Sequence, residues 1–221
     1  MSGGFDEKFC IKSIQVALFF VPDTNFKPIS FAGNVSNKMS GLFPDDPNII
    51  SLPPNVPLEI PRVMFTNANQ ESLNAGINRA DLALNITSLD EIDRSVLPNV
   101  ILLNSIINED MRIAVQRVGV VATYNILQPN VKEISDRYFK DGKIDGSDGC
   151  NFAWHKSFQL NGLETNLWVR YTLSDFYGAV NSLIIDVNSF QNISLMGRNV
   201  TEITGQYISY IRSDLQNVLK W

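Results

Sequence analysis

The sequence predicts an α+β fold, a mainly antiparallel sheet with helices packed on one face. Three observations carry this. Short apolar runs with period-two alternation recur along the chain, as half-buried strands require. Between them lie stretches with apolar residues at helical spacing behind capping residues. An Asn-Gly pair at 161–162 separates two alternating runs, the turn chemistry of a tight hairpin, which needs φ > 0 at both positions. The order is strand, helix, two strands, helix, then strand, helix, hairpin, strand, helix. It reads as a loosely repeated, pseudo-duplicated half.

Taken in order, residues 14–21 (IQVALFFV) form a strand. Pro28 to Leu42 forms a helix, with proline in the favourable first turn and Phe31, Val35, Met39 and Leu42 at helical spacing. Residues 41–62 hold six of the ten prolines. Proline fixes φ and removes a donor, so this segment is a connector that admits no helix or central strand. Its apolar residues, among them Ile49, Leu52, Val56 and Leu58, lay it along the domain surface. Strands follow at 62–66 and 81–86, joined by a polar, Asn-rich hairpin connection. Ser88 with Glu91 three residues later makes a capping box for a helix through Ile92 and Val96. Pro98 interrupts it before a buried helix over 100–107.

Arg112 to Leu127 is a long strand whose apolar face switches between Arg117 and Gly119, and a β-bulge at Gly119 would restore its register. Val131 to Lys140 is a short amphipathic helix. In the hairpin, Phe152, Trp154, Phe158 and Leu160 alternate with His155 and Ser157 before the turn. Leu167, Val169, Tyr171 and Leu173 alternate with Trp168 and Arg170 after it. A strand at 182–187 and a last helix from about Val200 to Leu219, capped by Asn199 and Glu202, close the chain.

All of this forms one α+β domain over residues 1–221, the proline-rich connector 41–62 lying within it. With 44% hydrophobic and 19% charged residues the chain is able to bury a core, which excludes wholesale disorder. A net charge of -5 argues against binding free duplex DNA, whose affinity rests on basic contacts to phosphate. The longest apolar run is far short of the roughly 20 residues needed to span a bilayer, so no membrane is expected. The acidic start MSGGFDEKF is unlike a secretory leader, and Cys10 and Cys150 are the only cysteines. Both features point to a cytoplasmic protein with reduced thiols.

Catalytic signatures are absent from the sequence, and no catalytic, cofactor-binding or metal-binding residue is assigned. His155 is the single histidine, so two-imidazole metal sites are out of reach within one copy. Cys150 stands five residues before it, but a strand histidine with no helix N-terminus near the cysteine does not make a nucleophile pair. Glycine-rich phosphate loops and the GxSxG elbow are missing. The segment 141–149 copies the back half of an EF-hand loop, with Asp141, Gly142, Asp145 and Asp148 in register. Its front ligand positions fall on Arg137 and Phe139, so it reads as a turn rich in Gly and Asp. The densest basic patch, Arg112 to Lys143, is diluted by Glu133, Asp136 and Asp141.

Arg117-Val118-Gly119, then Tyr124-Asn125, then the strand Leu183 to Val187 ahead of the long last helix resemble a sporadically distributed, uncharacterised family of bacterial proteins of α+β architecture. That resemblance implies an accessory role such as phage defence or toxin control. The expected function is a non-enzymatic binding and assembly module. Its expected partner is another protein, with homodimerisation through an exposed edge of the long strands at 112–127 and 152–173 or through the aromatic flank of the last helix. The alternative is a metal-dependent hydrolase or nuclease with a dispersed acidic site around Asp141, Asp145, Asp148 and Asp186.

Overall fold

A computed structural model describes residues 9–21, 25–53, 55–126, 149–174, 181–190 and 199–218. Nine strands form one sheet: β1 (Phe9–Phe20), β2 (Asn48–Ile49), β3 (Val63–Thr66), β4 (Ser72–Ala75), β5 (Arg79–Asn85), β6 (Val115–Ile126), β7 (Gly149–Leu160), β8 (Leu163–Ser174) and β9 (Ser182–Ser189). The spatial order is β2-β3-β4-β5-β1-β6-β9-β8-β7, with every pairing antiparallel. The mixed, antiparallel α+β class expected from the sequence is the one observed.

Alternation decides which side of each strand is buried. On β1, Ile14, Val16, Leu18 and Phe20 are buried, and Leu82, Leu84, Val118, Val120, Ile185 and Val187 continue the same layer on neighbouring strands. They share one core with apolar residues of three helices. Helix α1 (Pro28–Lys38) contributes Phe31, Ala32 and Val35, with Met39 just beyond its end. Helix α2 (Leu97–Ser105) contributes Val100 and Leu103. Helix α3 (Val200–Val218) contributes Val200, Ile203, Tyr207, Ile208 and Ile211. Each fully buried Leu, Ile or Phe is worth about 1.5–3 kcal/mol of transfer free energy, so the alternation is strongly enforced. Asn199 caps α3 as expected, its Oδ1 accepting from the backbone N–H groups of Thr201 (3.0 Å) and Glu202 (3.2 Å). No helix among the described residues is long and apolar enough to cross a membrane.

Several sequence expectations need correction. The Asn-rich connection at 67–80 contains a fourth strand, β4, in which Leu73 and Ala75 are buried; four residues gave too short an alternation to stand out. The proline-rich segment is as expected in this respect: among its described residues it carries no helix or central strand, only β2, two residues long and at the end of the sheet, where lost ladder donors cost least. Pro98 does not interrupt the helix. It sits in the first turn of α2, and single π-helical stretches at Ile92–Val96 and Ile106–Asp110 extend the helix on both sides. Glu91 does reach back, but to Thr87, whose backbone N–H and hydroxyl both donate to it. The bulge in β6 is not at Gly119, which pairs directly with Ala17; the register shifts between Arg117 and Val115, so Gln116 is the extra residue. Of the two long strands expected to offer an edge, β6 is at the centre and only β7 is terminal. The expected helix over 131–140 and the loop 141–148 lie outside the described residues.

Candidate functional site: the open face of the sheet

The residues that alternate with the core project from the opposite side of the strands, where nearly all are half-buried or exposed. Cross-strand register arranges them in rows. One row runs Gln15, Val121, Asp186, Trp168, His155 from β1 to β7. The next holds Asp81, Ala17, Gly119, Asn188, Asn166 and Ser157. A third sets Arg79, Phe19 and Arg117 side by side. Neighbouring strands stand about 4.8 Å apart, so each row is a line of adjoining side chains.

At the β7–β8 end an aromatic platform is built. The rings of His155 and Trp168 stack with centroids 4.4 Å apart and planes 26° from parallel. Trp168 is 38% exposed, so part of its ring surface is open to solvent. Ser157 Oγ donates to Asn166 Oδ1 at 3.0 Å and lies 3.4 Å from His155 Nε2. Arg170, on the same face two residues beyond Trp168, is exposed. Asp186 faces Trp168 across the strand pair and accepts from Asn188 Nδ2 at 2.9 Å.

At the β5–β1–β6 centre a second cluster forms. Arg79 donates through Nε to Asp81 Oδ2 at 2.6 Å and through Nη2 to Oδ1 of the same carboxylate, and Gln15 Nε2 donates to that Oδ1 at 3.0 Å. Arg117 lies over the Phe19 ring at 3.7 Å, and Arg79 approaches the same ring at 5.1 Å. Burial draws the Arg117 pKa down, Asp186 offsets this, and the like charge of Arg79 adds to the depression.

Beside Arg79 the row continues to Gly76, over which the proline-rich segment passes. A Cβ at Gly76 would stand 2.7 Å from the Leu58 carbonyl oxygen. The segment is tied down there by Ile77 N–H to Leu58 O (3.0 Å) and by Asn78 Nδ2 to Glu59 Oε1 (3.1 Å).

Of the residues singled out by the sequence, Arg117 and Gly119 point to the open face and Tyr124 to the core, where burial raises its pKa. Asp186 is on the open face, whereas Asp141, Asp145 and Asp148 lie outside the described residues. His155 is exposed on its strand, and its stacking on Trp168 went unseen in the sequence. Direct opposition of 155 and 168 follows from counting back from the Asn-Gly turn, so the signal was present. The gathering of Arg79, Phe19 and Arg117 had none, since these residues come from three separate segments. Among the described residues no three His, Cys, Asp or Glu side chains converge as a metal site.

No family model and no curated protein matches this chain. Among solved structures it is similar to the rolling circle replication initiator protein from Geobacillus stearothermophilus, at 11% identity and a TM-score of 0.32, over 91% of this chain and 78% of that one. The expectation of a non-enzymatic binding and assembly module is corrected here. The neighbour's own description is that of a replication initiator. At that TM-score the likeness says nothing of how this chain works, and its chemistry is read from its own side chains.

Proposed function

We propose that the open face of the sheet takes single-stranded nucleic acid and that the chain hydrolyses it. The observation that carries this is the exposed Trp168 stacked on His155 beside Arg170. Flat aromatic surface on an open sheet stacks unpaired bases, and a neighbouring guanidinium holds the backbone phosphate. Paired bases are closed to such stacking, and the net charge of -5 repels duplex at long range. Free duplex DNA therefore remains a poor ligand in this reading. Asp186 and His155 flank Trp168 in one row. A carboxylate there is suited to hold a divalent cation against a phosphodiester and an imidazole to move the proton, which keeps Asp186 from the four carboxylates of the sequence reading.

The strand order supports two finer readings. Outward from β1 come β5, β4 and β3, and outward from β6 come β9, β8 and β7. In each half the innermost of those strands leads on to a helix, α2 after β5 and α3 after β9. We read this as a duplicated half with its helices on the core side.

The test is fluorescence anisotropy of labelled single-stranded oligonucleotides, followed by gel analysis of cleavage with magnesium or manganese. Base stacking is worth about 1–3 kcal/mol per base, so Trp168→Ala should weaken binding roughly 5- to 150-fold. Asp186→Asn should remove cleavage while leaving binding in place. Absence of binding by the wild-type chain at low salt would refute the proposal.

A further inference from the structure

We propose that Arg117 is a phosphate-binding residue, its guanidinium held in place by Phe19. The two arginines of this cluster differ in their partners. Arg79 is neutralised by its paired contacts to Asp81, so its charge is spent within the protein. Arg117 is not. Among the described residues it makes no hydrogen bond or ion pair, and its Nε is shielded from solvent with no partner.

Removing a guanidinium N–H from water without a replacement acceptor is unfavourable. Its burial also favours the uncharged form; Asp186 offsets this in part, and Arg79 beyond the ring adds to it. An arrangement that carries such a cost only partly relieved is one that an incoming anion completes. The ring of Phe19 under Arg117 at 3.7 Å fixes the plane of the fork. Directly next to it on the same face stand Ala17 and Gly119, the smallest side chains of the central strands. Asp186 and Asn188 bound it on β9 and keep the site from being a general anion trap.

The chemistry is that of a phosphate group, whose oxygens match the guanidinium fork. It belongs either to the backbone of a nucleic-acid strand or to a free nucleotide or pyrophosphate. Only the first source rests on the reading of the open face given above, and two measurements separate the sources.

Oligonucleotide affinity is measured against salt concentration for the wild type, Arg117→Gln and Arg117→Lys. One lost phosphate contact on a single strand should flatten the slope of log K against log salt by about 0.7. Arg117→Gln should show that change, and Arg117→Lys should keep the slope while binding more weakly. An unchanged slope in Arg117→Gln overturns the proposal. If the wild type binds no oligonucleotide, the nucleic-acid reading fails, and pyrophosphate becomes the probe. A rise in melting temperature with millimolar pyrophosphate, lost in Arg117→Gln, supports the site with a free phosphate ligand. No rise in the wild type overturns it. Arg117→Gln should itself melt within several degrees of the wild type, since what it loses is a single half-buried cation over a ring. Gly119→Ala serves as the second variant. Its Cβ would meet only ordinary contacts, the nearest at 3.5 Å to Asn188 Cβ, so it folds while adding bulk two residues along the strand from Arg117. Full phosphate binding by both variants overturns the proposal.

Discussion

Gly76→Ala is the sharpest probe of how the proline-rich segment is held. A new Cβ would stand 2.7 Å from Leu58 O and 3.2 Å from Glu59 O, both backbone atoms that no side-chain rotation moves aside. The segment must retreat, and with it goes the 3.0 Å hydrogen bond from Ile77 N–H to Leu58 O. Overpacking costs about 1–3 kcal/mol, and the lost bond roughly 0.5–1.5 kcal/mol. Against this, alanine restricts the unfolded chain and returns about 0.4–1 kcal/mol. The net expectation is a loss of roughly 1–4 kcal/mol. Urea unfolding should show a lower midpoint at unchanged slope, because the denatured surface is the same. Two other glycines serve as controls of opposite character. Gly33 is exposed within α1 with nothing within 4 Å of its Cβ position, so Gly33→Ala should stabilise by about 0.5–1 kcal/mol. Gly162 also has open space but a φ of +73°, so Gly162→Ala should cost about 1–2 kcal/mol through the left-handed backbone alone. A Gly76→Ala protein as stable as the wild type would refute the close approach of the two segments.

Further outcomes are expected from two substitutions. Among the described residues the buried Tyr124 hydroxyl has no hydrogen-bond partner, so Tyr124→Phe should be neutral or stabilising in thermal unfolding. Burial raises the pKa values of Tyr124 and Tyr207 in the fold, so above the ordinary tyrosine value near 10 the unfolded chain binds fewer protons and stability falls. Stability is then intact below about pH 10 and lost above it, and Tyr124→Phe should reduce that alkaline slope by up to about 1.4 kcal/mol per pH unit; an identical slope in the variant counts against a buried neutral Tyr124. Asn199→Ala removes the acceptor for two N–H groups at the start of α3 and should cost about 1 kcal/mol by urea titration; no change would mean that water serves the cap equally well.

Elements long enough to repeat their period were legible in the sequence. The last helix shows burial at 200, 203, 207 and 211, and the hairpin at 161–162 has the positive φ values, 50° and 73°, that its Asn-Gly pair demanded. Both depend on interactions between residues near one another in the chain. Short or interrupted elements were not legible: β4 has four residues, and the π-helical stretches around α2 let the chain pass Pro98 because the core holds Ile92, Val96 and Val100 in place regardless.

The sequence by itself determined which face of each long strand is buried, because a one-residue slip would turn every apolar side chain outward. It determined the hairpin and both ends of the alternation around it, and so the opposition of His155 and Trp168. Only the tertiary structure decided that β1 and β6 lie together at the centre and that Phe19 comes between Arg79 and Arg117. Those three residues are separated by tens of positions in the chain, and their meeting depends on strand order, which local propensity does not encode. The location of the bulge was decided there too. Alternation shows that a strand changes face near Arg117, but pairing against Phe19 and Phe20 of β1 places the extra residue at Gln116, and with it the side on which the Arg117 guanidinium stands.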